Sequence, residues 1–169
     1  MLLLIDGYNL LHSGQKRVHF NAIQLQWERD RLIERLSLYR QARPSEILVV
    51  FDGWHGGWST EKRERRKGVD LIFSKVGEKA DEVIKRLIRA KGSGVIVITS
   101  DREISRYAER FSVPVVSSEQ FQEKLKLVEL RGAIKEEEEE KEEKGLKKKG
   151  PSRRLSKKER RLRLALRKL

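Results

Sequence analysis

The sequence predicts a three-layer α/β fold, a parallel sheet covered by helices on both faces. Three observations lead there. Five short apolar runs alternate with helical patterns through the first 130 residues. Several of these runs are apolar at successive positions, as strands buried on both faces are. Right-handed crossovers between such strands then place helices on either side of the sheet.

Each element has its own signal. Leu2–Ile5 is a short apolar run closed by Asp6-Gly7, a buried strand and a loop. Residues 21–42 put Leu25, Leu32, Leu36 and Tyr39 on one helical face, and Pro44 lies just beyond. Ile47–Phe51 is a second buried strand, ending at Asp52-Gly53, and Val69–Phe73 is a third. Residues 79–91 align Val83, Ile84, Leu87 and Ile88, with Gly92 and Gly94 closing that helix. Val95–Ile98 is a fourth strand, followed by Thr99-Ser100-Asp101 and a short helix carrying Ile104, Tyr107, Ala108 and Phe111. Val113–Val116 is a fifth strand. Ser117 and Gln120 have capping-box spacing before a last helix with Phe121, Leu125 and Val128.

The apolar patterning stops near Leu130, so residues 1–133 are read as the domain and 134–169 as a charged tail. The chain carries 39 Lys+Arg against 26 Asp+Glu, a formal charge of +13, which points to a polyanionic partner. Lys135–Gly145 is an acidic spacer with seven Glu and three Lys. Leu146–Leu169 holds 12 basic residues and one acid, Glu159. From Ser156 it has the pattern of a basic amphipathic helix with Leu162, Leu166 and Leu169 on one face. RNA, structured ribosomal RNA in particular, is the expected target of that tail; a solubilising tail is the plainer reading. There is no cysteine, which excludes disulfides, thiolate zinc sites and a cysteine nucleophile. The three histidines have no metal-ligand spacing. The apolar opening ends at Asp6 and resembles neither a signal peptide nor a membrane span, so a cytoplasmic protein without membrane contact is expected.

Ligands of open α/β sheets bind beyond the carboxyl ends of the strands. Three strands end there in an aspartate, Asp6, Asp52 and Asp101, and Asp81-Glu82 opens the helix after the third strand. If these strands are neighbours, the acids converge, and a hard divalent cation relieves their repulsion. Each acid also has an ordinary explanation. Asp-Gly pairs make turns, Ser100 and Glu103 have capping-box spacing, and acids suit a first helical turn. Asn9, three residues after Asp6, reads either as a site residue or as a cap.

Leu3–Leu11, with its Ile5-Asp6-Gly7-Tyr8-Asn9 centre, resembles the opening motif of the NYN domains, a branch of the PIN-like nucleases. Val49–Gly53, Ile72–Lys75, Ala80–Ile84 and Val97–Asp101 follow in the family's order, and the YacP-like group is the most similar. The resemblance covers residues 1–130. It implies a PIN-like fold with strand order 3-2-1-4-5 and RNA cleavage dependent on Mg²⁺ or Mn²⁺, with mRNA on the ribosome among the substrates. Carried over by motif, Asp6, Asp81 and Asp101 form the acidic, metal-holding core, with Asn9 and Asp52 beside it. Many relatives have a small hydroxyl residue before Ala-Asp-Glu, where this chain has Lys79.

Between Asp52 and Val69 the chain offers Trp54 and Trp58, then Lys62, Arg63, Arg65, Arg66 and Lys67. A flexible loop with stacking surfaces and cations suits a single RNA strand. Arg102, next to Asp101, joins that RNA-contacting set. His55 is either a proton shuttle or incidental. An RNA- or ribosome-binding module without catalysis is the competing reading, although a pure binder gains nothing from acids facing phosphates. A haloacid-dehalogenase-type phosphatase needs a second acid two positions after Asp6, where Tyr8 stands. No P-loop or dinucleotide motif is present.

Overall fold

The computed structural model describes residues 1–13, 20–53 and 58–145. In chain order the elements are β1 (Leu2–Asp6), α1 (Gly7–His12), α2 (Ala22–Ala42), β2 (Glu46–Phe51), β3 (Lys62–Arg66), β4 (Val69–Phe73), α3 (Ala80–Lys91), a 3₁₀ turn (Gly92–Gly94), β5 (Val95–Ile98), α4 (Arg102–Arg110), β6 (Val115–Val116) and α5 (Ser118–Gly145). Met1–Gly132 forms one compact unit, and the chain from Ala133 onward forms a second. Of that second unit the described part, Ala133–Gly145, is helical.

The sheet has the order β3-β4-β2-β1-β5-β6. The five expected strands keep the expected order, and all their pairings are parallel. Side-chain alternation divides the core in two. Leu3, Ile5, Ile47, Val49, Phe51 and Leu71 pack with residues of α1, α2 and α5 on one face. Leu4, Val50, Ile72, Val95 and Val97 pack with residues of α3 and α4 on the other. That is why the strands read as unbroken apolar runs.

The sixth strand corrects the sequence reading. Lys62–Arg66 is not a loop but an edge strand, antiparallel to β4 with Arg66 opposite Val69. The two residues between them, Lys67 and Gly68, have φ of 49° and 80°, the primed turn that suits a two-residue hairpin. Its residues are exposed or half-buried, so no apolar alternation announces it. Charged residues are common on edge strands because they discourage pairing with other chains.

Two smaller differences concern ends. The fifth strand shrinks to Val115–Val116, because Pro114 has no N–H and contributes only its carbonyl, to Val97 N–H at 2.9 Å. The cap of α4 is Asp101, not Ser100: Asp101 Oδ1 accepts the N–H groups of Glu103 (2.6 Å) and Ile104 (3.2 Å). The Ser117–Gln120 capping box forms as expected, with both bonds at 3.2 Å. No described helix is long and apolar enough to cross a membrane.

Candidate active site at the carboxyl edge of the sheet

Because β2 and β5 flank β1 in parallel, their carboxyl ends reach one edge together. Ile5 lies opposite Ile98, so the next residues, Asp6 and Thr99, meet. Thr99 Oγ1 donates to Asp6 Oδ2 at 3.1 Å, and Asn9 N–H donates to Asp6 Oδ1 at 3.2 Å. Asp6 is only 8% exposed. Burial raises its pKa to about 6; the bonds from Asn9 and Thr99 oppose this, and the charges of Asp81 and Asp101 add to it.

Asp81 sits in the first turn of α3. Its pKa is raised, first by burial and then by the charge of Asp101; Lys85 works against this, while Glu103 and Asp52 add to it. Asp6, Asp81 and Asp101 therefore share one field, although they come from β1, α3 and the β5–α4 junction. Among the described residues, however, no three His, Cys, Asp or Glu side chains form a group able to hold a metal ion. The acids are tied locally, Asp6 to Asn9 and Thr99, Asp101 to the start of α4 and Asp52 to the start of α3.

Asn9 is a brace. Its Oδ1 accepts Ser100 N–H at 2.8 Å and the Ser118 hydroxyl at 2.6 Å, joining α1 to the β5–α4 junction and the start of α5. Ser100 Oγ donates to the Glu119 carboxylate, which lowers the Glu119 pKa. Thr99, Ser74 and Glu119 escaped the sequence reading. The hydroxyls of Thr99-Ser100 directly after an apolar strand were the available signal.

The basic run does not gather at this edge. Lys62 lies opposite Phe73, at the carboxyl end of β4, but the antiparallel strand carries Arg65 and Arg66 to Asp70 and Val69, at the other end. Four residues of strand separate the two by about 13 Å. The cations are also compensated: Arg63 pairs with Glu61 (2.8 Å), Arg65 with Asp70 (3.5 Å), Arg66 with Asp30 (2.8 Å) and Lys67 with Glu34. Lys62 pairs with Glu64 (3.2 Å) and stands over the half-buried Trp58 ring at 4.7 Å. Lys75, in the loop after β4, and Arg102, the residue after Asp101, are exposed and have no ion pair among the described residues. Trp54 and His55 lie outside the described residues, as does 146–169, the basic part of the tail.

The fold and sequence have close parallels. YacP of Bacillus subtilis (strain 168) is 31% identical over 115 residues, 66% of this chain and 64% of that protein's own length. The crystal structure of a point mutant of Rae1 (YacP) from Bacillus subtilis matches with a TM-score of 0.64 at 26% identity over 77% of each chain. The crystal structure of Rae1 (YacP) itself matches in fold, with a TM-score of 0.64 at 24% identity over 86% of each chain. The model of the YacP-like NYN domain matches residues 3–167, so the family pattern runs on through the tail rather than stopping near residue 130. On that match the chain belongs to the YacP-like NYN domain family, whose fold is that of the PIN-like nucleases.

Proposed function

We propose that the protein is a metal-dependent endoribonuclease, with mRNA on the ribosome as a substrate and the cytoplasm as its place of action. The observation that carries this reading is that Asp81 and Asp101, from two other elements, stand near enough for their charges to act on the buried Asp6 and help raise its pKa. A carboxyl held this way gains from a cation, and a binding protein has no use for it. The donor set fits Mg²⁺ or Mn²⁺ in an open site. Mg²⁺ commonly takes one or two carboxylates, several waters and substrate phosphate oxygens rather than a closed protein cage. Asp6, Asp81 and Asp101 are the residues that would hold it. Such an ion, when bound, polarises the phosphodiester and acidifies a water.

The chain's own groups supply the rest. Thr99 and Asn9 fix the orientation of Asp6 through one bond to each carboxylate oxygen. Asn9 also holds the β5–α4 junction, and with it Asp101, against α1. Lys75, in the loop after β4, and Arg102, next to Asp101, offer phosphates cations that have no ion pair among the described residues.

Labelled RNA incubated with the full chain, with and without Mg²⁺ or Mn²⁺ and with and without ribosomes, tests this. Internal cleavage that needs the ion and is lost in Asp6→Asn or Asp101→Asn is the expected result. That no three acids among the described residues form a metal group favours one alternative, an RNA- or ribosome-binding module on the same fold. Tight RNA binding without cleavage under every condition would establish that reading instead.

A further inference from the structure

We propose that Asp52 is a positioning residue: it caps α3 from across the sheet and so sets the place of Asp81. Helices are usually capped at the start by the side chain of Ser, Thr, Asp or Asn. The N-cap of α3 is Lys79, whose side chain has no acceptor, and no local cap bond forms. The first amide of the helix is nonetheless satisfied. Ala80, itself 4% exposed, donates its N–H to Asp52 Oδ1 at 2.9 Å, from a residue 28 positions earlier in the chain.

Asp52 is held for that task. β2 and β4 pair in parallel up to Phe51 and Phe73, which brings Asp52 beside Ser74. The fully buried Ser74 hydroxyl accepts Gly53 N–H at 3.0 Å and approaches Asp52 Oδ1 at 3.4 Å as donor. A side chain at Gly53 would meet the Ser74 carbonyl at 1.7 Å, so only glycine lets the two segments close. Asp81 is the residue after the bonded amide, and its own carboxylate has no hydrogen bond among the described residues. Its place therefore follows from where the helix starts. A carboxylate suits the task twice, as acceptor and as negative charge at the positive end of the helix. A lysine can then stand where a hydroxyl residue would otherwise cap.

The effect on cleavage rests on the nuclease reading; the cap itself does not. Three variants of the full chain separate the two: Asp52→Asn, Asp52→Ala, and Asp52→Ala combined with Lys79→Ser. Amide hydrogen exchange is followed at Ala80–Ile84, and kcat and KM are measured on labelled RNA. Asn keeps the acceptor, so exchange stays protected and kcat falls less than in the Ala variant. Ala removes it, so exchange at the start of α3 accelerates about fivefold or more, and kcat falls with KM little changed. Lys79→Ser supplies a local cap to the amide of Asp81 or Glu82, so it restores protection from Asp81 to Ile84 and kcat, including the fold if Asp52→Ala alone does not fold, while the Ala80 amide still exchanges fast. The proposal is overturned if Asp52→Ala leaves the exchange unaltered, if Lys79→Ser fails to restore it from Asp81 to Ile84, or if Asp52→Asn loses kcat as Ala does while α3 stays protected. The last result would mean that the charge of Asp52 is used directly. Should no variant and no wild-type protein cleave RNA, the nuclease reading fails, and the exchange arm still decides the cap.

Discussion

Replacing Asp6 by Asn should stabilise the protein at neutral pH while removing its activity. A buried carboxyl that titrates at about 6 rather than near 4 costs about 3 kcal/mol to ionise in the folded state. The sign follows from linkage. In the window from about pH 4 to about pH 6 the unfolded chain has lost this proton and the folded chain still holds it. Stability therefore falls as pH rises through that window, and above it the whole cost is present. Asn carries no charge and keeps an acceptor for Asn9 N–H. The new amide group, however, faces Thr99, whose hydroxyl loses its acceptor at a cost of about 1 kcal/mol. The net gain above pH 7 is about 2 kcal/mol, a rise in Tm of roughly 4–8 °C for a chain of this size. Below pH 4 the gain disappears and the lost bond leaves the variant slightly less stable. Thermal unfolding from pH 4 to 8 measures this, and Mg²⁺ at millimolar concentration should narrow the gap by stabilising only the wild type. A gap that does not change with pH, or a variant less stable at pH 7.5, would refute the burial and charge argument.

Other expectations follow from the same geometry. Asp101→Asn keeps the cap of α4 and should lose cleavage at unchanged stability, whereas Asp101→Ala should lose about 1 kcal/mol as well, read from denaturant midpoints. Lys75→Ala with Arg102→Ala should reduce the slope of log K for single-stranded RNA against log salt by about 1.4, read from binding titrations. Arg65→Ala, Arg66→Ala and Lys67→Ala together should change that slope by less than half as much, because their charges are paired and lie at the far end of β3. Removing residues 146–169 should weaken binding to ribosomes or long RNA and spare cleavage of short RNA at low salt, as co-sedimentation and gel assays would register.

What sequence alone could reach is uneven for physical reasons. The five parallel strands are readable because burial on both faces imposes unbroken apolar runs; their order comes only from the resemblance to the NYN domains. β3 is not, because an edge strand buries nothing and a charged edge looks like a loop; its turn was marked only by Lys67-Gly68. Reading the basic run as a loop follows from that omission. Read as a loop, its cations could reach the acids; as an antiparallel strand, it carries most of them away from the acids and beside Asp70, Asp30 and Glu34. The aspartates are instructive in another way. A turn residue at Asp6 and a first-turn acid at Asp101 were the ordinary alternatives to site residues, yet each is a cap in the structure and each also lies in the shared field. The two roles have one origin. In this sheet the helices start where the strands end, so an acid that stabilises a helix start also stands at the edge where ligands bind. Spacing in the sequence cannot separate the two roles, because the fold makes them the same place. Only a measurement that moves charge without moving the cap, such as Asp→Asn against Asp→Ala at each of Asp6, Asp52 and Asp101, tells them apart.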